Sequence, residues 1–365
     1  MKLTLGIFLI LSLHLPLCAQ DSLVQMPFDS LKATCFANGL FESDELFKVC
    51  LSGNTRELLR DRYDDARYHP IILTYKLPSG EQDSLRIRAK TRGRFRRLRE
   101  NCRIPPLLLQ LDSLQCQNDK LFFGQKKIKL VSPCVNDKYV VREYLLYRIF
   151  NLVTENSFRA RLIKLCFRDT IKNKVSDLQY AILLEHQSNM ANRVVASMYK
   201  KQHVTPKKIL RAEYLKMTVF QYLIANTDWS IQFLQNMKLI SADNKPGLVA
   251  VPYDFDLAGL VYAPYAKPAE ELKLSSVRER RYRGYCIEDM QVFQATFDLF
   301  NRLKPEIYAL YENNIYIEES YIKQTLKYMD EFYKTINNPK KAANAFQYPC
   351  NPRGTGNVVI KGLKK

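Results

Sequence analysis

Histidine is scarce in this chain, with four residues in 365, and one of them lies at position 14 in the extreme N-terminal stretch. His69, His186 and His203 remain, and no C-x-x-C pair is present, which leaves too few ligands for a Cys/His zinc site. The G-x-S-x-G elbow is also missing, so a Ser-His-Asp hydrolase has neither its nucleophile motif nor its choice of base. Long apolar runs are absent as well. The longest lies in "MKLTLGIFLILSLHLPLCAQ" and reaches about fifteen residues, short of the roughly 20 that a membrane-spanning helix needs. It ends in "LCAQ" and reads as a secretory signal peptide over residues 1–19, cleaved after Ala19, so the mature chain is expected to be secreted or periplasmic with no transmembrane segment.

Acidic residues are outnumbered, 37 against 56 Lys and Arg, for a formal charge of +19. Such a surface favours anionic partners: nucleotide phosphates, acidic protein, polysaccharide or lipid. The charge is concentrated, with nine basic residues between Leu85 and Arg103 against the single acid Glu100. Phe95 is the only aromatic within that cluster, and export takes the protein away from most nucleic acid, so no specific nucleic-acid partner is expected. Beyond the signal lie Cys35, Cys50, Cys102, Cys116, Cys134, Cys166, Cys286 and Cys350, an even set that suits disulfides in an exported chain and equally suits small buried apolar side chains.

Period changes along the chain divide it. Residues 20–66 read as a polar helical leader with Ser43 and Asn54 as N-caps. A β-rich part follows over 67–188. "HPIILTYKLPSGEQDSLRIRAK" reads as a hairpin, "IPPLLLQLDS" and "QKKIKLVSP" as short strands, and "RARLIKLCFRDT" and "SDLQYAILLEHQ" as two more. One helix, "NDKYVVREYLLYRIFNLV", is inserted among them, with Asn136 or Asp137 as its cap. Residues 189–337 turn helical, interrupted by a hairpin of "MKLIS" and "GLVAVPYDFD", and 338–365 read as a loose tail.

Chemistry concentrates where the long helix ends. "ANTDWSIQFLQN" delivers Asp228 into a loop that closes on Asn236, and "VPYDFDLAG" returns with Asp254 and Asp256. Two carboxylates and an amide oxygen suit Mg²⁺ or Mn²⁺, which prefer hard oxygen ligands alongside substrate phosphates, and a further carboxylate can orient an acceptor hydroxyl. Farther on, "SSVRERRYRGY" could recruit an acidic peptide or a phosphate, or serve as a solvated basic surface.

"TRGRF", "IKLVSPCVNDKYVVREYLLYRIF", "YAILLEH", "NTDWS" and "YDFDLAG", spread over roughly half the chain, resemble in sequence and order the CotH-type secreted and spore-coat kinases. The resemblance implies an α+β, two-lobed protein-kinase-like fold: an N-terminal antiparallel sheet with one helix, a C-terminal helical lobe, and ATP with Mg²⁺ or Mn²⁺ between them. It implies transfer of the γ-phosphoryl group to an unidentified extracytoplasmic protein. Asp228 would orient the acceptor, and Asn236, Asp254 and Asp256 would hold metal. Arg92, Gly93 and Arg94 would cover the nucleotide, with Lys129 or Arg103 as the strand cation and Glu143 or Arg142 as its helical partner. The strand end at Glu185 would be the hinge.

This sequence departs from the pattern. No G-x-G-x-x-G is present, so phosphate would be gripped by guanidinium groups rather than by a backbone cradle. Seven residues separate Asp228 from Asn236, a longer interval than in H-R-D-x-x-x-x-N, and Asp256 stands where D-F-G has glycine. A catalytically silent module that binds polyanions or proteins through the Arg-rich face is the alternative.

Overall fold

The structure is a computed structural model and describes residues 39–112, 121–242 and 247–355. The stretch 1–19, expected to be a signal peptide, lies outside the described residues. The first half carries β1 (Phe47–Gly53), α1 (Thr55–Arg60), β2 (His69–Lys76), β3 (Gln82–Thr91), β4 (Leu107–Leu111), β5 (Lys127–Val131), α2 (Lys138–Val153), β6 (Ala160–Asp169), β7 (Lys174–Val175) and β8 (Gln179–Glu185). The second half carries α3 (Gln187–Arg193), β9 (Ala196–Tyr199), α4 (Arg211–Leu223), β10 (Met237–Ala242), β11 (Leu248–Pro252), α5 (Gln294–Arg302), α6 (Lys304–Glu312), α7 (Glu319–Ile336) and α8 (Pro339–Phe346).

The expected two-lobed kinase fold with an N-terminal antiparallel sheet and one helix is not what forms. The order β1-β2-β3-β4-β5-β8-β6 closes on itself because β6 also pairs with β1 in parallel, giving a seven-stranded mixed barrel with eight helices among the described residues. Alternation explains the closure. Phe47, Val49 and Leu51 on β1, Leu107, Leu109 and Leu111 on β4, and Ile163, Leu165 and Phe167 on β6 all point into one barrel core. Closure pairs each of the seven ring strands on both sides, while β7 lies outside the ring against β6. The parallel register sets Cys50 opposite Cys166, and the two are joined as a disulfide.

That closure overturns part of the helical leader. "FKVCLSG" fits a three-and-four spacing and a two-residue alternation equally well, and burial of its odd-numbered residues against β2 and β6 decides for strand. Asn54 does cap a helix, its side chain accepting from the Glu57 amide, but that helix is only one and a half turns long. The tail also departs from expectation. Asn338 caps α8 through the Lys341 amide, Pro339 opens it, and Cys350 is bonded to Cys286.

The helix α2 is buried on all sides, which places it between two layers rather than on a surface. One face packs on the outside of β6 and β8, and another meets α6. Asp137 anchors its start by accepting from the Tyr180 amide on β8. In the second half, α4 packs against β11 of a three-stranded sheet ordered β11-β10-β9, and α5 to α8 close over it through an aromatic cluster that includes Phe293, Phe297 and Phe346.

Gly259 is where three segments meet beneath the loop that follows α4. Its amide donates to the Ala225 carbonyl, and a Cβ there would lie 2.4 Å from the Val277 carbonyl oxygen and 2.8 Å from the Ala225 Cβ. Both obstacles belong to backbone or its first carbon and cannot swing away. Gly259→Ala is therefore expected to lower stability by about 1–3 kcal/mol, read as a shift in the urea midpoint. An unchanged midpoint would mean that the three segments are not held against one another.

Candidate active site

The chain leaves α4 through Ala225 at φ 52° and enters a tight loop. Asn226, almost fully buried, accepts from the Asp228 amide at 3.0 Å, and its carbonyl takes the Trp229 indole N–H at 3.1 Å. Trp229 is thereby an anchor of the loop. At the loop's end Asn236, with φ 48°, donates through Nδ2 to Asp228 Oδ2 at 2.7 Å and to the Asp228 carbonyl at 2.9 Å, while Gln235 Nε2 donates to Asp228 Oδ1. The Asn236 carbonyl accepts from the Tyr253 amide, which ties the loop to the end of β11.

The next residue, Asp254, has φ 64°, a region unusual for a residue with a side chain. Its amide donates to the Tyr147 hydroxyl on α2 at 2.9 Å, which fixes this turn against the helix that carries Glu143. Asp254 and Asp256 then converge on Arg96, from the short 3-10 turn Phe95–Arg97. Arg96 Nη2 stands 2.8 Å from Asp254 Oδ1, Nε 3.4 Å from Asp256 Oδ2, and Nη1 3.3 Å from Glu143 Oε2.

Three carboxylates around one guanidinium are under-neutralised. Burial raises Glu143 to about 8, the Arg96 charge opposing and the Asp256 and Asp254 charges adding to the rise. Burial likewise raises Asp256 to about 6 against the pull of Arg96. Asp228 is raised to about 6 by burial and by the charges of Asp256 and Asp254, with Arg283 and Asn236 opposing. Burial works against the charge on Arg96, and Asp256, Glu143 and Asp254 outweigh it.

Beyond Tyr253 the sign of the field reverses. Lys129 points out of the barrel from β5, since its neighbours Ile128 and Leu130 fill the barrel core. It is buried, and its Nζ has no hydrogen-bond partner among the described residues. The ammonium lies between the rings of Phe158 and Tyr253, 4.7 and 4.5 Å from their centroids. Its pKa is held well below the usual lysine range by burial first, then by Arg92 and Lys238, with Asp254 and Glu185 pulling the other way. Burial, together with Lys129, Lys127, Arg92 and Lys238, pushes His186 down to about 4.

The expected site residues therefore fall into groups. Asp228 and Asn236 are joined directly, Asp254, Asp256 and Glu143 are joined through Arg96, and Arg92 and Lys129 lie close enough to repel one another. The metal trio is split. Among the described residues no three His, Cys, Asp or Glu side chains gather at ligand geometry, because Asp254 and Asp256 are drawn to Arg96 while Asn236 is tied to Asp228. Gly93 has φ 89° and open space where a Cβ would stand, and Arg94 is exposed. Glu185 is occupied by Arg193 at 3.0 Å and by the Arg159 amide, and stands within electrostatic reach of Lys129.

Arg103 is not the strand cation. It is exposed ahead of β4, where "CRIPP" delays the strand, and its carbonyl accepts from Arg62. Arg142 points away, to the Val261 carbonyl, Glu318 and the face of Tyr321 at 3.7 Å, so Glu143 is the helical carboxylate of the cluster. The basic segment 275–285 is spent on structure. Arg280 donates to the Leu223 and Tyr328 carbonyls, Arg281 to Tyr348 and Thr355, and Arg283 to the Thr227 and Trp229 carbonyls.

No family model and no curated protein matches this chain. Among solved structures it is similar to a Helicobacter pylori proinflammatory kinase, CtkA. Identity is 13%, the match covers 59% of this chain and 89% of that chain, and the TM-score is 0.36. A likeness of that size carries neither fold nor activity across, and the functional reading stands on the site itself.

Sequence reasoning missed Arg96, Lys238, Tyr147 and Tyr253. Arg96 sits in a run of basic residues, and nothing local marks it as the one whose side chain turns inward while Arg97 turns out to the Tyr63 carbonyl and Asp64. The signal that was available is the break in alternation after Thr91, which ends the strand and lets a three-residue turn reverse side-chain directions. No described helix is long and apolar enough to cross a membrane. The disulfides Cys50–Cys166, Cys102–Cys134 and Cys286–Cys350 are compatible with an oxidising, extracellular location.

Proposed function

We propose that this chain is a CotH-like phosphotransferase that moves the γ-phosphoryl group of ATP to a hydroxyl of an extracytoplasmic protein. One observation carries the reading: the unpartnered, buried ammonium of Lys129, with Arg92 and Lys238 beside it, abuts the carboxylate cluster of Asp254, Asp256 and Asp228 across a single residue, Tyr253. A cationic group facing an acidic one at that distance suits a polyphosphate on one side and a reacting hydroxyl on the other.

The donor set of Asp254, Asp256 and the Asn236 amide oxygen has the hard-oxygen chemistry that Mg²⁺ or Mn²⁺ requires, and the buried Glu143 Oε1 beside it has no hydrogen-bond partner among the described residues. Those residues would hold the ion, which would neutralise charge on the phosphate oxygens. Arg92, Lys129 and Lys238 bind and orient the phosphates by charge-assisted hydrogen bonds. Asp228, held by Asn236 and Gln235, is ionised at neutral pH and takes up the acceptor's proton.

A silent binding module is favoured by one feature, the Arg96 guanidinium that already occupies Asp254 and Asp256. Thermal melting separates the two readings. ATP with Mn²⁺ is expected to stabilise the wild type by about 2.7 kcal/mol at a hundredfold excess over Kd, and Asp254→Ala is expected to lose that stabilisation. Equal melting of both proteins with and without ligand would leave the silent module.

A further inference from the structure

Arg96 is bound to three carboxylates that come from two other parts of the chain. Glu143 belongs to α2, and Asp254 and Asp256 to the segment after β11, whereas Arg96 hangs from the connection between β3 and β4. Its side chain is 9% exposed, and its three nitrogens divide among the three partners.

The connection that carries Arg96 is tied down on both sides, with Gly93 as its one open point: the Arg92 amide donates to the Pro106 carbonyl at 2.9 Å, and Asn101 Nδ2 donates to the Phe95 carbonyl at 2.9 Å. At the β4 end, the Arg62 guanidinium donates to the carbonyls of Arg97, Cys102 and Arg103, and Cys102 is disulfide-bonded to Cys134. At the β3 end stands Gly93, with φ 89° and nothing within 4 Å of a would-be Cβ. Between them Phe95 rests on the Tyr265 ring at 5.8 Å, and Tyr265 hydrogen-bonds Asp256. The arrangement is that of a strap, stapled at Cys102 and turning at Gly93, whose Arg96 plugs the acidic cluster.

We infer that Arg96 is the resident counter-ion of this cluster and that a divalent cation reaches Asp254 and Asp256 only by displacing it. The inference rests on the phosphotransferase reading above. Two facts favour displacement over joint occupancy. The carboxylates of Asp254 and Asp256 already engage the guanidinium, which occupies the space between them. One guanidinium is also shared among three carboxyl groups, with Glu143 Oε1 left without a hydrogen-bond partner, and a dication offsets such a cluster better than a monocation does. The ion is thus opposed by a built-in competitor, and its affinity is set by the strap.

The test is Mn²⁺ binding to the full chain without nucleotide, followed by loss of the free-ion EPR signal. Arg96→Ala is expected to bind Mn²⁺ at least about tenfold tighter than the wild type, and Arg96→Lys, which keeps the charge but not the three-way fork, to fall between them. Because Arg96→Ala strands three carboxylates, the double variant Arg96→Ala/Glu143→Gln is measured against Glu143→Gln alone and is expected to show the same tightening. If removing Arg96 leaves Mn²⁺ affinity unchanged or lowers it in both backgrounds, Arg96 is not a competitor and the inference fails while metal binding stands. If no variant binds Mn²⁺, the metal-dependent phosphotransferase reading fails with it.

Discussion

Asp228→Asn is expected to slow phosphoryl transfer by roughly 10²–10⁴-fold while leaving the thermal response to ATP and Mn²⁺ in place. The variant is chosen because the site can absorb it. Asn236 Nδ2 still finds an oxygen at position 228, and Gln235, whose Oε1 has no partner, can turn its amide to accept from the new Nδ2. What is lost is the proton acceptor. Because burial and the charges of Asp256 and Asp254 hold Asp228 at about 6, the wild-type rate should climb through that pH and level off above it, and the variant's residual rate should lack that limb. Stability should move the other way. A carboxyl whose folded pKa is raised contributes stability that is present below its ordinary value near 4 and is lost as pH rises through about 6, so Asp228→Asn should out-melt the wild type at pH 8 and lose that advantage at pH 4. Initial rates from pH 5 to 8 with melting curves at both ends measure both. A variant that transfers phosphate at the wild-type rate would remove Asp228 from the chemistry.

The sequence made some of this readable and hid the rest for identifiable reasons. Asp228 and Asn236 close one loop, and Asp254 and Asp256 follow one strand, so local spacing was enough to bring each pair forward. Lys129 came forward only as one of two strand cations that the family resemblance implied, and its burial between Phe158 and Tyr253 was not readable locally. Barrel closure was not legible. It depends on Phe47–Gly53 pairing with Ile163–Asp169, more than a hundred residues away, and no local pattern states that partner. The same distance hid Arg96, two of whose three carboxylate partners, Glu143 and Asp254, lie 47 and 158 residues from it along the chain. Arg103 was misplaced because "IPPLLLQLDS" was read as strand from its start, whereas β4 begins only at Leu107, after both prolines. The helix α8 was lost to composition, although an Asn cap followed by proline was the better guide.

Lys129→Met is expected to make the ligand-free protein more stable by about 1–3 kcal/mol and to abolish its response to ATP. An ammonium buried without a hydrogen bond costs several kcal/mol, of which the two flanking rings return only a part, on the order of 2 kcal/mol. Met has a similar length and packs well against Phe158 and Tyr253. The pH dependence gives the sign. Burial, Arg92 and Lys238 hold Lys129 well below the ordinary lysine value of 10.5, so between its folded value and that one the unfolded chain binds the extra proton. Wild-type stability therefore rises with pH across that window, and the advantage of Lys129→Met shrinks towards pH 10. Urea midpoints at pH 7 and 10 measure the gap. A variant less stable than the wild type at both would make Lys129 a packing residue. A more stable variant that still answers to ATP would keep the strain but take the phosphate contact away from Lys129. Stability gained together with binding lost is the signature of a charge kept buried for a ligand rather than for the fold.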